Sequence, residues 1–295
     1  MTAPPFGRVL TAMVTPFTPD GEVDLKRAGE LAARLVDDGN DGLVISGTTG
    51  EAPTTHRAEK TDLLRAVVDA VGGRAHVVAG VGSNDTVHAI GMAQDAEKAG
   101  ATGVLIVTPY YNKPPQAGVI AHTKAVAEAT DLPALLYDIP GRTGLALAES
   151  TILELAQHPQ IVGLKDAKLD LESTSSVLSQ TDVAYYSGHD PWTLPLLALG
   201  AVGVVGTSTH VVAGRTKQLI DAFLAGDVAT ARSLHEGMLP IYSGIFRTQG
   251  TILVKAALQL LDFPVGGVRL PLVEATAAEV TQLRADLVAA GVLTA

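Results

Sequence analysis

Eight short apolar runs, rich in β-branched residues and separated by stretches of helical spacing, restrict how this 295-residue chain can fold more than any other feature. The runs cover residues 9–14, 42–46, 76–80, 103–108, 134–137, 161–165, 183–187 and 202–205. They are nearly continuous in apolar character rather than alternating, which marks strands buried on both faces, as a parallel sheet requires. Between them, residues 24–38 carry Leu25, Ala28, Leu31, Ala32 and Leu35 at three- and four-residue steps, the apolar stripe of a helix. Residues 56–71, 85–99, 116–129, 148–157, 170–179 and 192–199 repeat that spacing. Gly39, Gly72 and Gly100 stand where left-handed caps close helices, and Asn84-Asp85 and Ser150 where helices start.

Strand and helix alternating eight times favour an α/β chain closed into a (β/α)8 barrel. A doubly wound open sheet is the alternative, but it normally carries phosphate-binding glycines at its first strand–helix turn, and residues 11–18 hold none. After the eighth run the alternation stops, and residues 216–224, 228–245, 251–261 and 276–289 are all helical in pattern. The expected organisation is a barrel over residues 1–225 and a helical C-terminal region, 226–295, packed on it.

Acidic residues outnumber basic ones 31 to 21, and no basic cluster is interleaved with aromatics, so no nucleic-acid partner is expected. The absence of cysteine excludes disulfide and thiolate chemistry and fits a reducing compartment. No stretch nears the roughly 18 apolar residues of a membrane span, and the first residues lack a charged start followed by an apolar segment. A cytoplasmic protein without membrane contact is the expectation. None of the eight histidines has the spacing of a metal pair, so no metal is expected either.

In a barrel of this kind the chemistry lies at the C-terminal ends of the strands. That rule selects Thr48 and Thr49, Tyr110 and Tyr111, Tyr137 and Arg142, and Lys165. Lys165 ends a buried run; it either reaches solvent as an ordinary strand-end lysine, or loses water and approaches the neutral amine that attacks ketones. Gly47-Thr-Thr-Gly-Glu51 is either a plain helix start or a turn whose amides and hydroxyls suit a carboxylate. Glu51 reads as a buried or capping group rather than a catalytic acid. Tyr137 is either a core tyrosine or a proton relay, and Arg142 either a surface cation or a carboxylate clamp. Asp166 faces away from Lys165 if the strand continues and toward it if the strand ends; with Asp170 and Glu172 it reads most simply as a solvated helix start. The pair His189-Asp190, in Gly188-His-Asp190 after the seventh run, either ligates a metal or is structural, and reads more simply as structural.

Together, Ala12-Met-Val-Thr-Pro-Phe17, Gly47-Thr-Thr-Gly-Glu51, Ala79-Gly-Val-Gly-Ser-Asn84, Pro109-Tyr-Tyr-Asn-Lys-Pro114, Leu136-Tyr-Asp-Ile-Pro-Gly-Arg-Thr143 and Gly163-Leu-Lys-Asp166 closely resemble the dihydrodipicolinate synthase family. That family belongs to the pyruvate-dependent class I aldolases, with N-acetylneuraminate lyase. The resemblance implies that Lys165 condenses with pyruvate, Thr49 holds its carboxylate and Tyr137 shuttles protons. It further implies a relay completed by Thr48 and by Tyr111 reaching into a neighbouring subunit, with Arg142 binding the carboxylate of aspartate-β-semialdehyde. Val205 matches a hydrophobic position on the pyruvate side, and Gly188 a second substrate-side position. The implied product is 4-hydroxy-tetrahydrodipicolinate, on the route to diaminopimelate and lysine, made without a cofactor by a homotetramer built as a dimer of dimers. A lyase for sugar acids and a non-catalytic barrel that only binds ligand are the rival readings. Tyr110-Tyr111 and Arg142 favour the synthase over the first, and the presence of Lys165 and Tyr137 argues against the second.

Two places depart from the pattern. Gly206 removes a hydroxyl or bulk from the expected barrel mouth. At the positions where lysine-inhibited relatives hold lysine, this chain carries Ala52, Pro53, Arg57, Lys60, Asn84, His88 and Tyr110. Ala52 lacks a hydroxyl, His88 replaces a carboxylate, and Arg57 and Lys60 add positive charge, so lysine is not expected to bind there.

Overall fold

The computed structural model describes residues 3–294. Eight parallel strands close into a barrel in sequence order, each bonded to the next and β8 to β1. They are β1 (Val9–Ala12), β2 (Gly42–Ile45), β3 (His76–Gly80), β4 (Gly103–Val107), β5 (Ala134–Asp138), β6 (Ile161–Asp166), β7 (Ala184–Ser187) and β8 (Gly203–Gly206). The first run stops at Ala12, short of its apolar end, and the sixth continues one residue past Lys165.

Around the barrel lie α1 (Leu25–Asp37), α2 (Arg57–Val71), α3 (Thr86–Lys98), α4 (Gln116–Ala127), the single turn α5 (Pro140–Thr143), α6 (Glu149–Leu155), α7 (Leu171–Gln180), α8 (Thr193–Leu199) and α9 (Thr209–Leu224). Asp24, Asp85 and Asp170 cap α1, α3 and α7 by accepting from the backbone N–H three residues on. Gly39 and Gly100 take the left-handed conformation expected of them, with φ of 108° and 85°. Gly72 does not; its φ of −60° leaves it in the right-handed region at the end of α2. Ala148, not Ser150, precedes α6. Helix α9 starts at Thr209, well before the expected residue 216, and is kinked at Val212.

Strand alternation sorts the core into two parts. Leu10, Val44, Val78, Leu105, Leu135 and Val205 point into the barrel. One end is closed by Phe6, whose ring leaves no room for a Cβ on Gly103, and by Tyr186, whose hydroxyl donates to Gly7 O at 2.9 Å. Outward-facing strand residues pack with the helices in a second cluster, which runs without a break into α10 (Val228–Ile245), α11 (Gly250–Leu260) and α12 (Ala277–Ala289) through Met238, Ile241, Leu253, Leu258, Leu283 and Leu287. Among the described residues, no helix is long and apolar enough to cross a membrane.

Candidate active site

Small residues open the end opposite Phe6. Gly80 lies so close to Ser46 that an added Cβ would fall 2.5 Å from Ser46 O, and Gly163 stands at 2.5 Å from Ala184 O by the same measure. On β6 the inward positions are Gly163 and Lys165, so the strand narrows before the lysine and leaves its stem space. Gly188 leaves more: a Cβ there would lie 3.1 Å from Lys165 Cγ and 2.9 Å from Asp166 O. Lys165 is 5% exposed and stands in register with Tyr137 of β5, its Nζ 4.1 Å from the phenol ring centroid. Among the described residues no carboxylate pairs with this ammonium.

Because β6 continues through Asp166, that carboxylate turns outward, away from Lys165. It is buried rather than solvated, contrary to the simplest sequence reading. Tyr185 donates its hydroxyl to Asp166 at 2.6 Å, Thr174 donates at 3.2 Å, and the Lys168 N–H at 2.6 Å. Asp138 is its register partner on β5, and both Asp138 oxygens accept from the Leu147 N–H at 3.2 Å. Burial pushes the Asp138 carboxyl up to about 7, with Asp166 adding to the rise and the Leu147 N–H and Lys168 opposing it.

The turn after β2 uses the amides of Gly50, Glu51 and Ala52 within itself. The Thr48 and Thr49 amides donate to no acceptor among the described residues, which leaves two N–H groups for an anion. Thr49 is buried, and its hydroxyl lies 3.4 Å from that of Thr207. Glu51 is buried as expected, but its partner Lys255 lies 204 positions away and had no signal in the local sequence.

Gly206 does not shape the mouth as the sequence reading supposed. It points outward, where an added Cβ would strike Asp190 Oδ1 at 2.5 Å, and Thr207 supplies the hydroxyl beside Thr49. Asp190 accepts from the Thr207 N–H at 3.2 Å, from the Ser208 N–H at 3.0 Å and from the Ser208 hydroxyl, a structural role. Val205 faces the barrel interior.

One cavity of about 690 Å³ opens at this end, lined by Thr48, Tyr110, Tyr111, Tyr137 and Arg142 together with Ala52, Pro53, Lys60 and His88. Arg142 is exposed on α5 and pairs with no carboxylate among the described residues. Tyr111 is 88% exposed with a left-handed φ of 71°, and its N–H reaches Thr143 O at 3.4 Å, tying its loop to the Arg142 turn. Within this one chain no hydrogen bond joins Tyr137 to Thr48 or Tyr111 among the described residues. Arg57 and Asn84 stand apart from the cavity: Arg57 is bound to Asp95 at 2.5 Å and to Gly91 O at 2.9 Å, and Asn84 O accepts from Asn112. Lys60 has no ion pair among the described residues, and burial depresses its ammonium. No group of three histidine, cysteine, aspartate or glutamate side chains among the described residues could hold a metal ion.

The chain matches the Dihydrodipicolinate synthetase family over residues 5–290. It is 64% identical to 4-hydroxy-tetrahydrodipicolinate synthase of Acidothermus cellulolyticus, covering 97% of this chain and 93% of that protein. It is 56% identical to 4-hydroxy-tetrahydrodipicolinate synthase 2 of Streptomyces coelicolor, covering 98% and 96%. Among solved structures, the dihydrodipicolinate synthase of Cyanidioschyzon merolae with lysine bound superposes with a TM-score of 0.97 at 44% identity, covering 99% of this chain and all of that one. With the barrel, the six motifs and a match along nearly its whole length, this chain belongs to the dihydrodipicolinate synthetase family.

Proposed function

We propose that the chain condenses pyruvate with aspartate-β-semialdehyde to give 4-hydroxy-tetrahydrodipicolinate, through a Schiff base on Lys165. One observation carries this reading: a buried lysine that pairs with no carboxylate among the described residues stands beside Tyr137, at the mouth that also holds the Thr48 and Thr49 amides, which donate to none of those residues. The Lys165 amine adds to the pyruvate ketone, and the carbinolamine loses water to form an imine. Loss of a methyl proton gives the enamine, whose carbon attacks the aldehyde of the second substrate. The amino group of that substrate then adds to the imine carbon and expels Lys165, which closes the ring. One water is released overall and the lysine is regenerated, so no cofactor enters the scheme.

Thr49 and the turn amides receive the pyruvate carboxylate, and Arg142, whose side chain pairs with no carboxylate among the described residues, receives that of the semialdehyde. Tyr137 moves the protons, with Thr48 and the Tyr111 of a neighbouring subunit completing the relay. The outward reach of Tyr111 supports a dimer of dimers, in which each mouth borrows one phenol from its neighbour. We place this reaction in the cytoplasm on the composition. A coupled assay with purified chain, pyruvate and aspartate-β-semialdehyde, run with and without EDTA, tests the reading. Product formation unchanged by the chelator is expected, whereas turnover of a keto-sugar acid but not of the semialdehyde would contradict it.

A further inference from the structure

Glu51 closes the Thr48–Thr49 turn, and its side chain and that of Lys255 on α11 are almost wholly buried, 1% and 4% exposed. Lys255 Nζ donates to Glu51 Oε1 at 2.8 Å and to Gly267 O at 2.6 Å, while the Arg269 N–H donates to Glu51 Oε2 at 2.9 Å. The ring of Phe17 faces both cations, 4.2 Å from Lys255 Nζ and 4.5 Å from the Arg269 guanidinium. Arg269 in turn grips Glu59 of α2 at 2.6 Å and 3.0 Å. A separate strut comes from the start of α11, where the Thr251 hydroxyl donates to Thr49 O at 3.1 Å.

The turn needs such support. Ser46 before it and Glu51 at its end both hold left-handed φ values, 59° and 56°, which cost free energy in any residue with a Cβ. A buried ion pair is a poor source of net stability, because apolar residues of the same volume serve as well. What it supplies is direction: two donors from the C-terminal region bind the two oxygens of one carboxylate and so define where the turn ends. We propose that Glu51, Lys255 and Thr251 are positioning residues, through which the C-terminal region holds the Thr48–Thr49 turn in the geometry that receives the pyruvate carboxylate. This rests on the function proposed above.

The test uses the full chain as T251V, which removes one hydroxyl, and as E51Q/K255M, which removes both buried charges together. Borohydride trapping of pyruvate on Lys165 is measured against pyruvate concentration without aldehyde, and the coupled assay gives half-saturation by the semialdehyde. The half-saturating pyruvate concentration should rise about tenfold in each variant, the equivalent of one lost hydrogen bond. Half-saturation by the semialdehyde should stay within about twofold, since Arg142 is untouched. If E51Q/K255M does not fold, T251V carries the test, because it leaves the ion pair in place. Folded variants with unchanged pyruvate dependence, or with equal losses for both substrates, would overturn the positioning role alone. A wild-type chain that takes up no pyruvate would overturn the functional reading, and the positioning role with it.

Discussion

Asp138 and Asp166 lie side by side on the outer face of the barrel wall, each one residue beyond a group at the mouth, Tyr137 and Lys165. With its carboxyl at about 7, against 3.8 as the ordinary value, Asp138 holds a proton that the unfolded chain releases. The stability it contributes is therefore complete below pH 4 and is lost as pH rises to 7, on the order of 4 kcal/mol across that window. D138N, which cannot ionise, should remove this slope: the difference in unfolding free energy between variant and wild type should move in the variant's favour from pH 5 to pH 8. Chemical denaturation at the two pH values checks it. Arg142 gives a second prediction at this scale. Losing a charge-assisted hydrogen bond costs about 1.5–3 kcal/mol, so R142A should raise half-saturation by the semialdehyde roughly 10- to 150-fold. Pyruvate trapping should be nearly unchanged in that variant, and initial rates at fixed pyruvate measure the difference.

The strands and most helices were legible because each carries its own periodicity, and Lys165, Tyr137 and Arg142 because strand ends in a barrel point at the mouth. Three features escaped for physical reasons that differ. Asp166 read as solvated because its burial depends on Tyr185 and Thr174, which the strand pairing and α7 bring to it. Gly206 read as part of the mouth because the face of β8 it occupies depends on register, and one residue reverses every side chain. Lys255 and Thr251 went unnoticed because their partners lie more than 200 positions away, and α11 alone looks like an ordinary apolar helix. At the scale of α2 and the loop before α3, the arrangement predicts insensitivity to lysine. Arg57 is committed to Asp95, Lys60 makes no ion pair among the described residues, and His88 lines the cavity where an acid would pair with an ammonium. Two lost charge-assisted bonds would weaken lysine binding by roughly two to four orders of magnitude. Titration of L-lysine against the initial rate should show no half-inhibition below about 1 mM, an affinity near −4 kcal/mol.

At the scale of the whole molecule, the barrel and helices α10–α12 bury one continuous apolar cluster and share the ion pair at the mouth. A region packed in that way should not melt on its own. Leu253→Ala, deep in that cluster, should cost about 2–5 kcal/mol and lower a single cooperative transition seen equally by tyrosine absorbance and far-ultraviolet dichroism. Two separated transitions would mean that residues 226–295 fold apart from the barrel. The proposed chemistry depends on one nitrogen, Nζ of Lys165, which is buried beside Tyr137. The most direct measurement is incubation with pyruvate and borohydride followed by peptide mass spectrometry. A reduced pyruvate adduct on the peptide carrying Lys165, absent from K165A, is the predicted result. An active enzyme that gains no adduct, or gains it on another lysine, would contradict it.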